Sequence, residues 1–264
     1  MKKFILQFLA FCLLFFAIWF ILSQIHYMDD SRYKDFSRKS EEKAGEVLLD
    51  FFRNQYGEIR SDTISLILDT IKNRICIPNQ LDPEEIRIDL INNKEVNAFA
   101  LPGGRIIVFS GLITACLNPE ELSGVLAHEI AHITHHHVMK KLKKELGLSI
   151  LATLAGGDSG TEILKEAVRL VSSTAYDRQM EKEADESGVL YLLNAGIDPE
   201  DFSNFLFRLS KKPHIQPDVP EWISTHPLPE ERVATILNLR KMKSFEPHQV
   251  LTGTSWNQLK FSCN

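Results

Sequence analysis

His128, Glu129 and His132 stand in the pattern H-E-I-A-H. A helix turns about 100° per residue, so the second histidine returns to within roughly 40° of the first. Both imidazoles can then reach one metal ion. Glu129, beside the first histidine, suits a base that takes a proton from water better than it suits a ligand. The spacing predicts a hydrolytic zinc centre. Such a centre takes three protein ligands and leaves one position open, so two histidines are one ligand short. The third is expected to be a histidine or carboxylate on a nearby element. Glu181 in E-K-E-A-D is preferred, because Asp185 follows four residues later on the same helix face and can accept the N–H of a ligand histidine. Glu183, facing roughly 200° away on a helix, is the second choice. The alternative is a solvated acidic face balanced by Lys182.

These residues need elements to hold them. Asn118-Pro119-Glu120-Glu121 is a helix start, with an N-cap asparagine, proline at the first helical position and glutamate three after the cap. The helix it opens carries the histidines among Val125, Leu126, Ile130 and Ile133, as a buried catalytic helix requires. His135, His136 and His137 extend the motif, and His136 is in helical register with His132. With three ligands already assigned, the triplet reads as mostly surface.

Ile86–Leu90, Val96–Ala100 and Arg105–Phe109 are short β-rich runs separated by turn signals, which predicts a small antiparallel sheet. Helical patterns cover Ser31 to about Arg60, Thr63–Ile75, Glu162–Ser172, Gln179–Asn194 with Gly196 as C-cap, Pro199–Leu209 and Pro229–Arg240. Gly156 to Gly160 is a flexible break after an apolar stretch, either a loop over the site or a hairpin turn. Lys211 to Pro229 is proline-rich and reads as irregular. There are no repeats and no sign of a second globular domain.

Phe4 to Ile25 is a nearly uninterrupted apolar run, long enough at about 1.5 Å per residue to span a bilayer core of about 30 Å. It reads as an uncleaved signal anchor. A cleaved signal peptide is the rival, although no A-x-A site follows the run. Lys2 and Lys3 favour an inside amino terminus, whereas Arg32, Lys34 and Arg38 pull the other way. The signal-like start makes a single-pass protein with an extracytoplasmic catalytic domain the expected topology. The expected division is residues 1–30 as anchor, 31–60 as helical connector, 61–243 as the metallopeptidase domain and 244–264 as a tail.

The 264 residues carry a formal net charge of −5 with no long basic run, which removes the electrostatic footprint of a nucleic-acid binder. Cys12, Cys76, Cys116 and Cys263 show no C-x-x-C spacing. Cys76 and Cys116 are either a pair in an oxidising compartment or two buried free thiols.

Further motifs frame the zinc pattern: N-A-F-A-L-P-G-G at Asn97–Gly104, S-G-L at Ser110–Leu112, E-K-E-A-D followed by Gly188, and T-H-P at Thr225–Pro227 followed by Arg232. In this order, over roughly residues 60 to 240, they resemble the HtpX and CAAX prenyl endopeptidase group of zinc metallopeptidases, family 48 of the metallopeptidases. The resemblance implies an α+β, mainly helical, zincin-like fold. It implies one Zn2+ held by His128, His132 and Glu181, with Glu129 as general base and then proton donor. Asp185 would orient a ligand histidine, and Arg232 would hold the loop of His226 or pair with an acid near the site. His226 itself would stabilise the oxyanion or occupy the open position in a resting state. Asn97, Ala98, Phe99 and Ala100 would form the edge strand to which an unfolded or extended polypeptide adds. His137 matches a position where relatives often carry histidine for packing. Since only Phe4–Ile25 can cross a membrane, the multi-span prenyl-protein proteases are the poorer match. The expected role is protein quality control at a membrane or in a cell envelope. The competing reading is a membrane-tethered chaperone-like or binding protein with a structural or resting zinc.

Overall fold

The computed structural model describes residues 30–147, 160–211, 221–227 and 230–263, with isolated positions among residues 1–29 and 148–159. The expected membrane span at Phe4–Ile25 and the glycine-rich break at Gly156–Gly160 lie for the most part outside the described residues. Among the described residues, no helix is long and apolar enough to cross a membrane. The chain divides into two compact units, Met1–Ser40 and Glu41–Asn264, and the second carries the whole site.

The protein is mainly helical. The helices are α1 (Asp30–Tyr56), α2 (Asp62–Cys76), α3 (Ser110–Ala115), α4 (Pro119–Thr134), α5 (His137–Leu146), α6 (Thr161–Ser172), α7 (Arg178–Asn194), α8 (Pro199–Ser210), α9 (Glu221–Thr225), α10 (Glu230–Met242) and α11 (Gly253–Ser262). Three strands, β1 (Arg87–Ile91), β2 (Ala98–Leu101) and β3 (Arg105–Phe109), form one sheet in the order β1-β3-β2.

The sheet is mixed, which corrects the antiparallel expectation. β3 runs antiparallel to β2, with Phe99 opposite Ile107, but parallel to β1, with Ile88 opposite Ile106. The link from Asn92 to Asn97 is long enough to carry the chain past a vacant position in the sheet, and β3 then returns into it. Gly103 and Gly104, both at positive φ, make the tight return. A central strand covered on both faces needs apolar side chains on both of them, and after Arg105, which pairs with Asp89, β3 reads I-I-V-F. Ile106 and Val108 face a core built with Ile71 of α2, Leu126 of α4 and Leu192 of α7. Ile107 and Phe109 face a second core with Leu48 and Phe52 of α1, Leu142 of α5 and Leu170 of α6.

α4 starts as its sequence requires. The Asn118 side chain accepts the Glu121 N–H at 2.8 Å, and Glu121 reaches back to accept the Leu117 N–H at 2.7 Å while its two oxygens take the Arg208 guanidinium. The helix is buried along nearly its whole length, from Pro119 to His132, as expected of a helix apolar on most sides. α7 lies against it at close range, because a Cβ on Gly188 would sit only 3.3 Å from the His128 Cα. On another side, a Cβ on Gly124 would fall 2.4 Å from Cβ of Phe202 in α8.

Three further expectations are revised. α4 ends at His135, and His136 is left-handed at φ 54°, so His136 is not in helical register with His132. The region from Lys211 to Pro229 contains a short helix, α9, where an irregular segment was expected. Residues 244–264 are more than a tail: α11 buries Trp256 and Leu259 against the core. Cys76 and Cys116 are both buried and both free.

Candidate active site

Four buried side chains converge between α4, α7 and the segment after α9. His128 and His132 come from α4, Glu181 from the first turn of α7, and His226 from just past α9. Each offers one ligand atom, and the four atoms lie within 4.8 Å of one another. Nε2 of His128 and Nε2 of His132 are 3.0 Å apart. The Glu181 carboxylate faces them, with Oε2 3.7 Å from the first and Oε1 3.4 Å from the second. Glu183, the second choice for the third ligand, is on the outer side of α7, where its Oε2 lies 3.1 Å from Nε2 of His137.

The electrostatics of this cluster call for a cation. Burial pushes Glu181 and Glu129 each up to about 8, because a carboxylate removed from water resists ionising. Burial also holds His132 down to about 3 and His128 and His226 well below the ordinary histidine value, so all three are neutral and available as ligands. Both Glu181 oxygens and the His226 Nε2 are buried without a hydrogen-bond partner. Arg232 Nη1 stands 2.8 Å from Glu181 Oε2 and provides charge, though not a well-aligned hydrogen bond. Orphaned buried acceptors are costly, and an ion held by the two imidazole nitrogens and the Glu181 carboxylate, with His226 Nε2 at its fourth position, would satisfy all of them. Two nitrogens, one oxygen and a fourth nearby position are the donor set of a catalytic zinc.

Around the cluster sits a supporting layer. Asp185 Oδ1 is 3.1 Å from Nδ1 of His128. The Arg232 guanidinium donates to both Asp185 oxygens, at 2.5 and 2.6 Å, and to the carbonyl oxygens of His226 and Pro227 at 3.2 and 3.0 Å. Arg232 thus contacts both the His226 segment and the acids beside the site. Glu129 is fully buried. Its Oε2 accepts the Ala100 N–H at 3.0 Å and its Oε1 accepts Trp222 Nε1–H at 3.3 Å, with Nε2 of His226 3.5 Å from the same oxygen.

β2 is one edge of the sheet, and all four of its residues are buried. Asn97 lies just before the strand, where its Nδ2 donates to the Ser172 carbonyl at 3.2 Å at the end of α6. Ala98, Phe99 and Ala100 are in the strand itself.

Two residues escaped the sequence reading, and a third was read for packing alone. Trp222 stacks on His226 with ring centroids 4.7 Å apart and is wholly buried. Its signal was the four-residue spacing to His226, obscured by the prolines around it. Tyr176 stacks on His132 at 4.1 Å and had no motif to mark it. His137, read as a packing histidine within a mostly surface triplet, is fully buried, and its Nδ1 is 3.0 Å from Nδ1 of His132.

A buried H-E-x-x-H helix met at close range by a helix bearing a buried glutamate and, four residues on, an aspartate is the arrangement of a metallopeptidase. The chain belongs to peptidase family M48, whose model matches residues 68–240. It is 30% identical over 201 residues to the beta-barrel assembly-enhancing protease of Yersinia pestis, an alignment covering 72% of this chain and 41% of that protein. It is 34% identical over 162 residues to the protein of the same name from Escherichia coli K12, covering 56% of this chain and 33% of that one. The mitochondrial metalloendopeptidase OMA1 of Bos taurus is 33% identical over 154 residues, or 53% of this chain and 29% of its own length. The chain thus spans less than half the length of these relatives. The similarity reaches the family rather than the HtpX and CAAX branch within it.

Proposed function

We propose that this protein is a zinc-dependent endopeptidase acting on extended or unfolded polypeptide, with His128, His132 and Glu181 as metal ligands and Glu129 as general base. The observation that carries the reading is the convergence of two neutral Nε2 atoms on a buried carboxylate whose oxygens have no hydrogen-bond partner. Zinc bound there supplies a Lewis acid that polarises the scissile carbonyl and makes water acidic enough to attack near neutral pH. Glu129 takes the proton of the attacking water and passes it to the leaving nitrogen. The Ala100 and Trp222 N–H groups aim its carboxylate for both steps.

The site is closed as it stands. His128, Glu129, His132 and His226 are each 0% exposed, and His226 occupies the face a substrate carbonyl needs. We therefore assign His226 as a resting-state ligand that withdraws when substrate enters. β2 offers a peptide its free edge only where α6 yields, since α6 lies along it. Ala98 to Ala100 would then read main chain rather than side chains.

The relatives are named for beta-barrel assembly and for mitochondria, and the sequence begins with the apolar run Phe4–Ile25. Both are consistent with quality control at a membrane, with the apolar run as an anchor for the peptidase unit Glu41–Asn264.

The test is incubation of purified protein with an unfolded substrate, with and without a chelator. Cleavage that a chelator abolishes and zinc restores, and that Glu129→Gln loses while keeping its zinc, supports the assignment. Full activity in Glu129→Gln, or binding without cleavage in every state, would contradict it and favour the chaperone-like reading.

A further inference from the structure

His137 lies outside the four-residue cluster, yet it is wholly buried, with its Nδ1 3.0 Å from Nδ1 of His132. On its far side Nε2 lies 3.1 Å from Glu183 Oε2, and Gln179 Nε2 donates to Glu183 Oε1 at 2.8 Å. A line of polar contacts thus runs from the cluster outward through His132, His137 and Glu183 to Gln179.

The break in the helix creates this line. On an unbroken helix residue 137 would point roughly 140° away from residue 132. Instead α4 stops at His135, and the left-handed His136 lets α5 begin with His137 folded back on the His132 ring. His135 packs parallel to His137 at 5.2 Å and 15°, and its Nε2 is fixed 2.7 Å from Ser187 Oγ.

Proton accounting then gives one consistent arrangement. Nε2 of His132 faces the cluster, so when it binds a cation the ring proton must sit on Nδ1. That proton goes to Nδ1 of His137, which must accept. The proton of His137 is therefore on Nε2, where Glu183 accepts it. We propose that Glu183 and His137 form a carboxylate–histidine support that orients His132, the counterpart of Asp185 behind His128. The inference rests on His132 being a metal ligand, and it makes both His137 and Glu183 positioning residues.

The same geometry bears on a rival occupant. One ligand atom each of His135, His137 and Glu183 lie within 4.8 Å of one another, as a cation site would need. A cation on His137 Nε2 would place the His137 proton on Nδ1, opposite the proton of His132 Nδ1. Two donors would then face each other at 3.0 Å. While His132 holds a metal with its Nδ1 protonated, that outer site stays unloaded.

The experiment is chelator competition for zinc on the purified full chain, comparing wild type with His137→Asn, His137→Leu and Glu183→Ala. Asparagine and leucine are nearly isosteric, so both lose the same packing, but the asparagine carbonyl oxygen stands where Nδ1 stood and can still accept from His132. His137→Leu should weaken zinc about 10- to 100-fold, and His137→Asn should recover most of that loss. Thermal unfolding of the zinc-free forms should leave the two variants alike. Glu183→Ala, at a side chain 36% exposed, keeps the fold and should weaken zinc by a smaller factor. Equal affinity in the leucine and asparagine variants overturns the inference, as does unchanged affinity in Glu183→Ala. A second equivalent of zinc in wild type that His137→Leu loses overturns it in favour of the outer site. Wild type that binds no zinc at all removes the metal-ligand reading itself, and this is seen before any variant is made.

Discussion

Arg232→Gln tests the electrostatics of the site without touching a ligand. Arg232 is 6% exposed, donates twice to Asp185 and stands 2.8 Å from Glu181. Neutralising it leaves the buried Asp185 carboxylate without its guanidinium partner. Removing one member of a buried ion pair costs about 3–5 kcal/mol, mostly from the charge left behind. At about 1.4 kcal/mol per factor of ten, the folded-to-unfolded ratio should fall roughly a hundred- to a few thousandfold. Equilibrium chemical denaturation of the zinc-free protein at neutral pH reads it directly. The double variant Arg232→Gln with Asp185→Asn should regain part of the loss, because the buried charge is removed with its partner. A single-variant cost below about 1 kcal/mol, the size of an exposed pair, would refute the reasoning, as would a double variant that loses the sum of both singles.

Two other expectations follow from the same structure. His226→Ala should raise basal cleavage of a short flexible peptide severalfold, because it vacates the face His226 covers; a fall of about a hundredfold or more would make it an oxyanion donor instead. Asp198 caps α8 and pairs with Arg240 at 2.5 and 2.6 Å, and the hydrogen bond to Arg240 holds its carboxyl below the usual range. A depressed folded value means stability that is present above the unfolded pKa of about 3.9 and lost as pH falls through the folded one. Asp198→Asn keeps the cap and should cost no more than about 1 kcal/mol at pH 7 for this partly exposed pair. Its difference from wild type should vanish in strongly acid solution, and a pH-independent difference in unfolding midpoints would exclude the ion pair as the cause.

Much of the site was legible because it is written in helical spacing. His128 with His132, and Glu181 with Asp185, are four-residue pairs on uninterrupted helices, so periodicity alone places each pair on one face. Gly188 is the residue that lets those two faces meet, and its meaning became visible only when α7 lay against the His128 backbone. The contact of His137 with His132 was not legible because it depends on a backbone reversal at His136, a non-glycine residue at positive φ that nothing in the local sequence announces. Trp222 and α9 were hidden in a proline-rich stretch that reads as irregular until tertiary contacts form. The sheet direction was undetermined for another reason: a strand buried on both faces carries no alternation, so β3 fits a parallel or an antiparallel neighbour equally well. α11 has a cap at Thr252 but little amphipathic pattern, and its helicity comes from burying Trp256 and Leu259.

The central claim is the position of the metal, and anomalous X-ray scattering at the zinc absorption edge from crystals of the zinc-loaded protein tests it most directly. The assignment predicts one peak at bonding distance, about 2.0–2.2 Å, from Nε2 of His128, Nε2 of His132 and a Glu181 oxygen. A peak among His135, His137 and Glu183 with none at the first site, or no peak in protein that cleaves an unfolded substrate, would contradict it.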